Sequence, residues 1–266
     1  MNKALVVALV VSLPASAAAI PYFRPVEPFH LQPVAPASGV LIEHRSTFFD
    51  VGRDLHYGMG WLFEGRLALL DRRLHLALAF PLAMGFVEDE EAVGLGNVEF
   101  GAGFGDAIGH GGGRWGVGMR IDVPTATNAP APSEAGIASR TYNHERHEID
   151  AANARFYADV GIDDGTFVGQ VEGGFDTWMP QYTDAELMAR FGFLVGVHLA
   201  ARTILMMEMA WIDAVTSSRY DGRLSLQPGV RFAAGKLDLA FYLSIPVGSP
   251  YGGNAFAMGF QLLWNP

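Results

Sequence analysis

Three short stretches hold side chains that could do chemistry. Asn143 to Glu148, NHERHE, brings His144, Glu145, His147 and Glu148 together, and imidazole with carboxylate is a reasonable ligand set for zinc or nickel. The spacing is not that of H-E-x-x-H on one helix face, so the stretch reads as a solvated polar loop. GHGGGR, Gly109 to Arg114, has the glycine content of an esterase oxyanion loop, but no G-x-S-x-G elbow accompanies it, and it reads as a flexible turn. EDEE, Glu88 to Glu91, could hold calcium or bridge divalent ions to lipopolysaccharide, although successive acids on a loop read first as a solvated face. No catalytic residue, metal site or cofactor is assigned on this basis, and the expectation is a protein that is not an enzyme.

A larger set of charges recurs on one row of alternating segments. Its acids are Glu64, Glu99, Asp122, Asp159, Glu172, Asp176, Glu208 and Asp238, its bases Arg66, Arg73, Arg120, Arg155, Arg190, Arg223, Arg231 and Lys236, with His75 and His198 on the same row. Enclosing such groups is expensive unless they pair or stay wet. Paired across an enclosed space they would plug it. Segregated by sign along a wet path they would orient passing solutes.

The elements that position these charges are strands. In RLHLALAFPLAMGF, Leu74, Leu76, Leu78, Phe80, Leu82, Met84 and Phe86 form one row, and Arg73, His75, Ala77, Ala79, Pro81 and Ala83 form the other. A period of two belongs to a strand, and the length suits about 9 to 11 residues tilted across hydrocarbon. KLDLAFYLSIPV and WGVGMRIDV repeat the pattern. Twelve such segments lie near 40–48, 56–69, 73–86, 96–106, 114–123, 151–160, 167–177, 186–200, 203–213, 222–233, 236–247 and 255–264. The first, VLIEHRSTF, leaves its facing open. Breaks after the second, sixth, eighth and tenth segments are short (LDRR, GIDDG, AAR, AAGK). Those after odd segments, including FDVGRDL and VEDEEAVGLG, are mostly longer and more polar, with AIGHGGGR after the fourth as the exception. Short turns at one end and long loops at the other suit a membrane barrel.

Composition narrows the class. Half of the residues are hydrophobic, 17% are charged, 32 are glycine and none is cysteine, so disulfides, thiolate metal sites and lipidation at an N-terminal cysteine are excluded. A formal net charge of -10 argues against nucleic acid as a partner. Residues 1–19, with Lys3, an apolar run and A-x-A-like small residues, read as a secretory signal peptide cleaved after Ala17 or Ala19. Residues 20–38 are a proline-rich lead-in that could hang in the periplasm or tuck into a barrel, and 39–266 form the barrel.

Size and charge decide which face is enclosed. Across segments two to twelve one row is large and apolar, while the other carries the charges between glycines and alanines. That is a barrel turned inside out relative to soluble ones. Open edges in hydrocarbon would leave peptide groups unpaired, so the sheet must close. Trp61, Trp115, Trp178, Trp211 and Trp264 lie near segment ends, where an aromatic girdle would sit.

The fold class is therefore all-β, a transmembrane antiparallel up-and-down barrel of about twelve strands, and the mature chain resembles a Gram-negative outer-membrane β-barrel. AFAMGFQLLW, with Phe256, Met258, Phe260, Leu262 and Trp264 alternating, resembles the terminal insertion signal of that class, except that Asn265 and Pro266 follow the aromatic. GLGNVEFGAGF resembles the G-x-G-D/N stretch of outer-membrane transporters associated with aromatic (phenol) degradation. The resemblance implies outer-membrane location, contact with lipid and lipopolysaccharide, insertion by the barrel assembly machinery and a transport-like role for a small-molecule solute. The expected function is a channel or transporter with a narrow charged lumen. The alternative is a non-conducting structural or surface-interaction barrel acting through its extracellular loops. In the long break from Pro124 to Glu148, Arg140, Tyr142 and Arg146 are candidates to meet wall carboxylates and constrict the mouth.

Overall fold

The computed structural model describes residues 28, 29, 31–34, 36–51, 54–87, 90–108, 112–126, 137, 147, 149–181, 184–216, 222–247 and 255–266. The signal-peptide reading and the constriction residues Arg140, Tyr142 and Arg146 lie outside them. The strands are β1 (Gly39–Val51), β2 (Asp54–Leu69), β3 (Leu74–Val87), β4 (Glu90–Leu95), β5 (Val98–Ile108), β6 (Gly113–Val123), β7 (Ala151–Asp163), β8 (Phe167–Pro180), β9 (Glu186–Ala200), β10 (Thr203–Ala214), β11 (Arg223–Ala234), β12 (Leu237–Val247) and β13 (Phe256–Trp264). Every pairing is antiparallel. β1 pairs with both β2 and β13, and β2 with β3, which closes the sheet.

β4 and β5 share one place in the barrel. β3 pairs with β5 from Leu74 to Ala79 and with β4 from Leu82 to Val87, so the closed barrel has twelve staves. The switch falls at Gly96–Asn97, where Gly96 N–H donates to Pro81 O (2.8 Å). Asn97 is fully buried there, with Oδ1 accepting from the N–H groups of Thr125 and Ala126, both at 3.0 Å.

Strand pairing reaches further than the alternation of hydrophobicity, and this corrects three of the expected breaks. FDVGRDL is largely strand, because Asp50 pairs with Leu55 and Val51 with Asp54, leaving only residues 52–53 between β1 and β2. VEDEEAVGLG contains β4. AIGHGGGR ceases to be an exception, since β5 runs to Ile108 and β6 starts at Gly113. Gly112 has φ +77° in this short turn, and a Cβ there would collide with Asp163 O. Alternation ends where lipid ends, whereas backbone groups gain from pairing beyond it. The short turns share the end of the barrel that holds Gly39 and Trp264, which pair with Arg66 and Leu237.

The two faces separate as expected across β2 to β13. β12 alternates without a lapse, with Leu239, Phe241, Leu243 and Ile245 exposed and Ala240, Tyr242 and Ser244 buried. On β1 the register turns Leu41, Glu43, Arg45, Thr47 and Phe49 inward. His44 and Ser46 therefore face outward, where they satisfy one another: His44 Nε2 and Ser46 Oγ are 3.0 Å apart, and Ser46 Oγ lies 3.2 Å from Tyr57 Oη. Trp178 departs from the girdle expectation, being buried among interior apolar residues.

Candidate functional site

The interior divides into two arcs. On β2, β3, β5 and β6 the inward residues build an ion network. Arg120 of β6 pairs with Glu99 on the neighbouring strand β5 and reaches across β5 and β3 to Glu64 of β2 (3.1 Å), which also holds Arg66 Nε at 2.5 Å. Glu64 and Glu99 are almost inaccessible, so both depend on these guanidinium groups to offset lost hydration. His75 of β3 leans over Gly103, its Nε2 3.4 Å from Tyr157 Oη of β7.

The other arc, from β8 round to β1, is covered by the chain's own N-terminal segment. Residues 28, 29 and 31–34 lie along the inner wall as a strap. Phe29 and Leu31 N–H groups donate to the two oxygens of Glu208 on β10 (2.7 and 3.1 Å). Gln32 N–H donates to Glu172 of β8 (2.5 Å), and Gln170 Nε2 donates to Gln32 O (2.6 Å). Arg45 Nη2 donates to Phe29 O at 3.2 Å. These carboxylates thus bind main-chain donors that sheet pairing does not use, with the added strength of an ionised acceptor.

Glycines supply the sockets for its side chains. A Cβ on Gly192 of β9 would collide with Leu31, one on Gly229 of β11 would lie 2.5 Å from Phe29 Cζ, and one on Gly161 of β7 would lie 3.2 Å from Val34 Cγ2. Phe29 also stacks on Tyr242 (centroids 4.6 Å apart, 22° between planes). Tyr242 is held in turn by donating to Glu43 (2.7 Å). Phe29 and Leu31 join Val168, Trp178, Met188, Leu194, Ile204, Met206 and Ile212 in one buried apolar cluster.

Most residues assigned to the interior from the sequence are enclosed: Glu64, Arg66, His75, Glu99, Arg120, Asp122, Arg155, Asp159, Glu172, Asp176, Arg190, Glu208, Arg223, Arg231 and Asp238 are all buried. Asp176 pairs with Arg155 (3.4 Å) and with Arg190. Asp122 accepts from Asn153 (3.2 Å), Arg231 donates to Gln261 (2.8 Å), and Asp238 accepts from Asn265 (3.4 Å). His198 sits nearer the rim, 3.0 Å from Asp163. Two placements are corrected. Arg73 is exposed where the turn meets β3 and pairs with Asp106 (3.0 Å), and Lys236 is exposed in the turn before β12. Both stand at segment ends, where the side chain reaches past the rim.

Glu43, Arg45, Gln261 and Asn153 were missed, and of the two destinations open to the lead-in, periplasm or barrel, the described residues take the second. Glu43 and Arg45 alternate in step with Leu41, Thr47 and Phe49, but the opposite row of β1 is no more apolar. The strap follows no period that marks a wall contact, since each of its residues meets a different strand.

No family model matches the chain, and no curated protein sequence matches it. Among solved structures it is similar to an outer membrane channel from Pseudomonas putida, with a TM-score of 0.61 and 11% identity over 90% of this chain and 99% of that one. It is similar to the NanC porin (TM-score 0.57, 6% identity, 85% and 100% covered). A third likeness is to the translocator domain of the autotransporter NalP from Neisseria meningitidis (TM-score 0.51, 12% identity, 85% and 86% covered). The fold shared with these structures is that of outer-membrane barrels.

Proposed function

We propose that the chain is an outer-membrane channel for small solutes whose interior is held closed by its own N-terminal strap. The observation that carries this reading is the way the strap is held. It docks by backbone hydrogen bonds to Glu208 and Glu172 and by two aliphatic or aromatic side chains in glycine sockets, while the barrel closes by sheet pairing that needs none of these contacts. A segment so attached can leave without opening the wall. Solved structures of this fold named as a channel and a porin support the reading. The narrower assignment, uptake of small aromatic compounds, rests on the GLGNVEFGAGF resemblance. The chain's role in this reading is passage, not catalysis.

Planar-bilayer recording of the full-length barrel tests it. The native chain should conduct weakly. The full-length Gly192→Ala and Phe29→Ala double variant, which pushes Leu31 from its socket and removes the Phe29 ring, should conduct more at an unchanged folded yield. A folded double variant as silent as the native chain would make the barrel structural, acting through its loops.

A further inference from the structure

Asp159 stands apart from the other interior carboxylates. Among the described residues the register sets three like-charge pairs directly opposite one another on the inward face: Glu99 with Asp122, Arg120 with Arg155, and Asp159 with Glu172. Such pairs are unfavourable unless something of opposite charge intervenes. The first two are answered within the protein. Arg120 pairs with Glu99 and Glu64, Asn153 donates to Asp122, and Asp176 meets Arg155. The third is not. Asp159 is 3% exposed, and neither of its oxygens has a hydrogen-bond partner. Glu172 is equally buried and accepts the Gln32 N–H, a donor without net charge.

Among the described residues no cation pairs with Asp159, and the strand beside it presents glycines instead of side chains. Across β6 its neighbour is Gly116, where a Cβ would lie 2.5 Å from Asp159 Oδ1, and the next residue over on β5 is Gly105. Two residues along β7, Gly161 lies beneath Val34 of the strap, and the Gln32 amide sits on Glu172. The Gln32 side-chain oxygen is also buried without a partner. Two carboxylates and the strap residue Gln32 are thus brought to the same patch of wall. A buried carboxylate with neither a hydrogen-bond partner nor a cation calls for a proton or another positive charge. Arg155 and Arg190 already act on Glu172, so one further positive charge at Asp159 balances the set.

We propose that Asp159 and Glu172, with Gln32 of the strap, form a site for a small monovalent cation, either an inorganic ion or the ammonium head of a solute. Its occupant neutralises Asp159 beside Glu172 and so favours the strap-bound state. The solute branch rests on the channel reading; the cation site does not.

The test is the thermal unfolding midpoint of the full-length folded barrel in detergent, followed by heat-modifiable gel mobility at equal ionic strength. Chloride salts of sodium, methylammonium and the bulky N-methyl-D-glucamine are compared. Sodium or methylammonium should raise the midpoint above that in the bulky salt, because an ion that binds only the folded state stabilises it. A rise with sodium alone identifies an inorganic-ion site, and a rise with methylammonium an ammonium site. Asp159→Asn should abolish the difference. Gly116→Ala should reduce it with every charge kept, by pushing Oδ1 aside. Equal midpoints in the three salts, or a difference that survives Asp159→Asn, would overturn the site. In the strap-loosened full-length barrel, Asp159→Asn should also lower the ratio of cation to anion permeability, and a conducting barrel indifferent to it overturns the solute branch. A barrel that shows the midpoint shift but never conducts rejects the channel reading and leaves the cation site standing.

Discussion

The arc from β2 to β6 and the arc from β8 to β1 enclose the same space by opposite means. In the first, side chains of the wall pair with one another, so the barrel and the network form together. In the second, wall pairs such as Asp176 with Arg190 remain, but Glu208 and Glu172 complete themselves on a segment that is not part of the sheet. Glu64 and Glu99 find Arg120, whereas Glu208 finds the N–H groups of Phe29 and Leu31. The difference separates what holds the barrel from what fills it. Damage to the first arc should appear as lost assembly, and damage to the second as an altered interior in a folded barrel.

The largest effect should come from Arg120→Met, which leaves Glu64 and Glu99 without their shared guanidinium. Removing one partner of a buried ion pair costs about 3–5 kcal/mol, so folded barrel measured by heat-modifiable mobility should fall sharply. Full recovery of folding would show that water, not Arg120, carries those acids. Next is Gly192→Ala. Overpacking of this kind costs about 1–3 kcal/mol, but it should fall on strap docking, visible as faster protease cleavage near residues 28–34 with the barrel band intact. If the barrel band weakens instead, the strap is part of the folding core and the two arcs are not separable.

A milder change is Glu208→Gln, which keeps one acceptor and loses the charge. Conductance should rise less than in the Gly192→Ala and Phe29→Ala double variant, consistent with about 1 kcal/mol lost when charge-assisted hydrogen bonds become bonds to a neutral acceptor. The smallest effect should lie outside both arcs, in the turn between β7 and β8. Asp164 accepts the backbone N–H groups of Phe167 and Thr166, which hold its carboxyl below its ordinary value of 3.8. A lowered folded value means that the stabilisation is present above pH 3.8 and is lost as pH falls through the lower value. Asp164→Ala should remove a small acid-side component of the melting curve and change neither conductance nor strap cleavage.

Much of this division was legible in the chain, and particular residues show where legibility ended. β12 reads without ambiguity because every second residue is large and apolar and the remainder are small, polar or a single tyrosine. β10, TILMMEMAWIDA, does not. Ile204, Met206 and Ile212 are as apolar as Leu205 and Met207, yet the first three point inward and join the strap. Periodicity detects a contrast between faces, and here both faces meet apolar partners, lipid on one side and Phe29 with Leu31 on the other. Interior charge was read as the whole character of the inner face for the same reason: charge stands out from lipid-facing residues, and a buried apolar cluster does not.

Alternation, loop parity and the absence of a long apolar run determined by themselves that this chain forms a closed, apolar-outside barrel, because the bilayer leaves peptide groups no other way to be satisfied. The same residues named nearly all of the enclosed charges. Which charges meet was decided only by the tertiary structure, since Arg120 and Glu64 are brought together by strand stagger and curvature rather than by spacing along the chain. The tertiary structure also decided that residues 28, 29 and 31–34 lie inside. Nothing in a proline-rich segment records its destination, and only the assembled wall, with its glycine sockets and inward carboxylates, supplies the partners that hold it there.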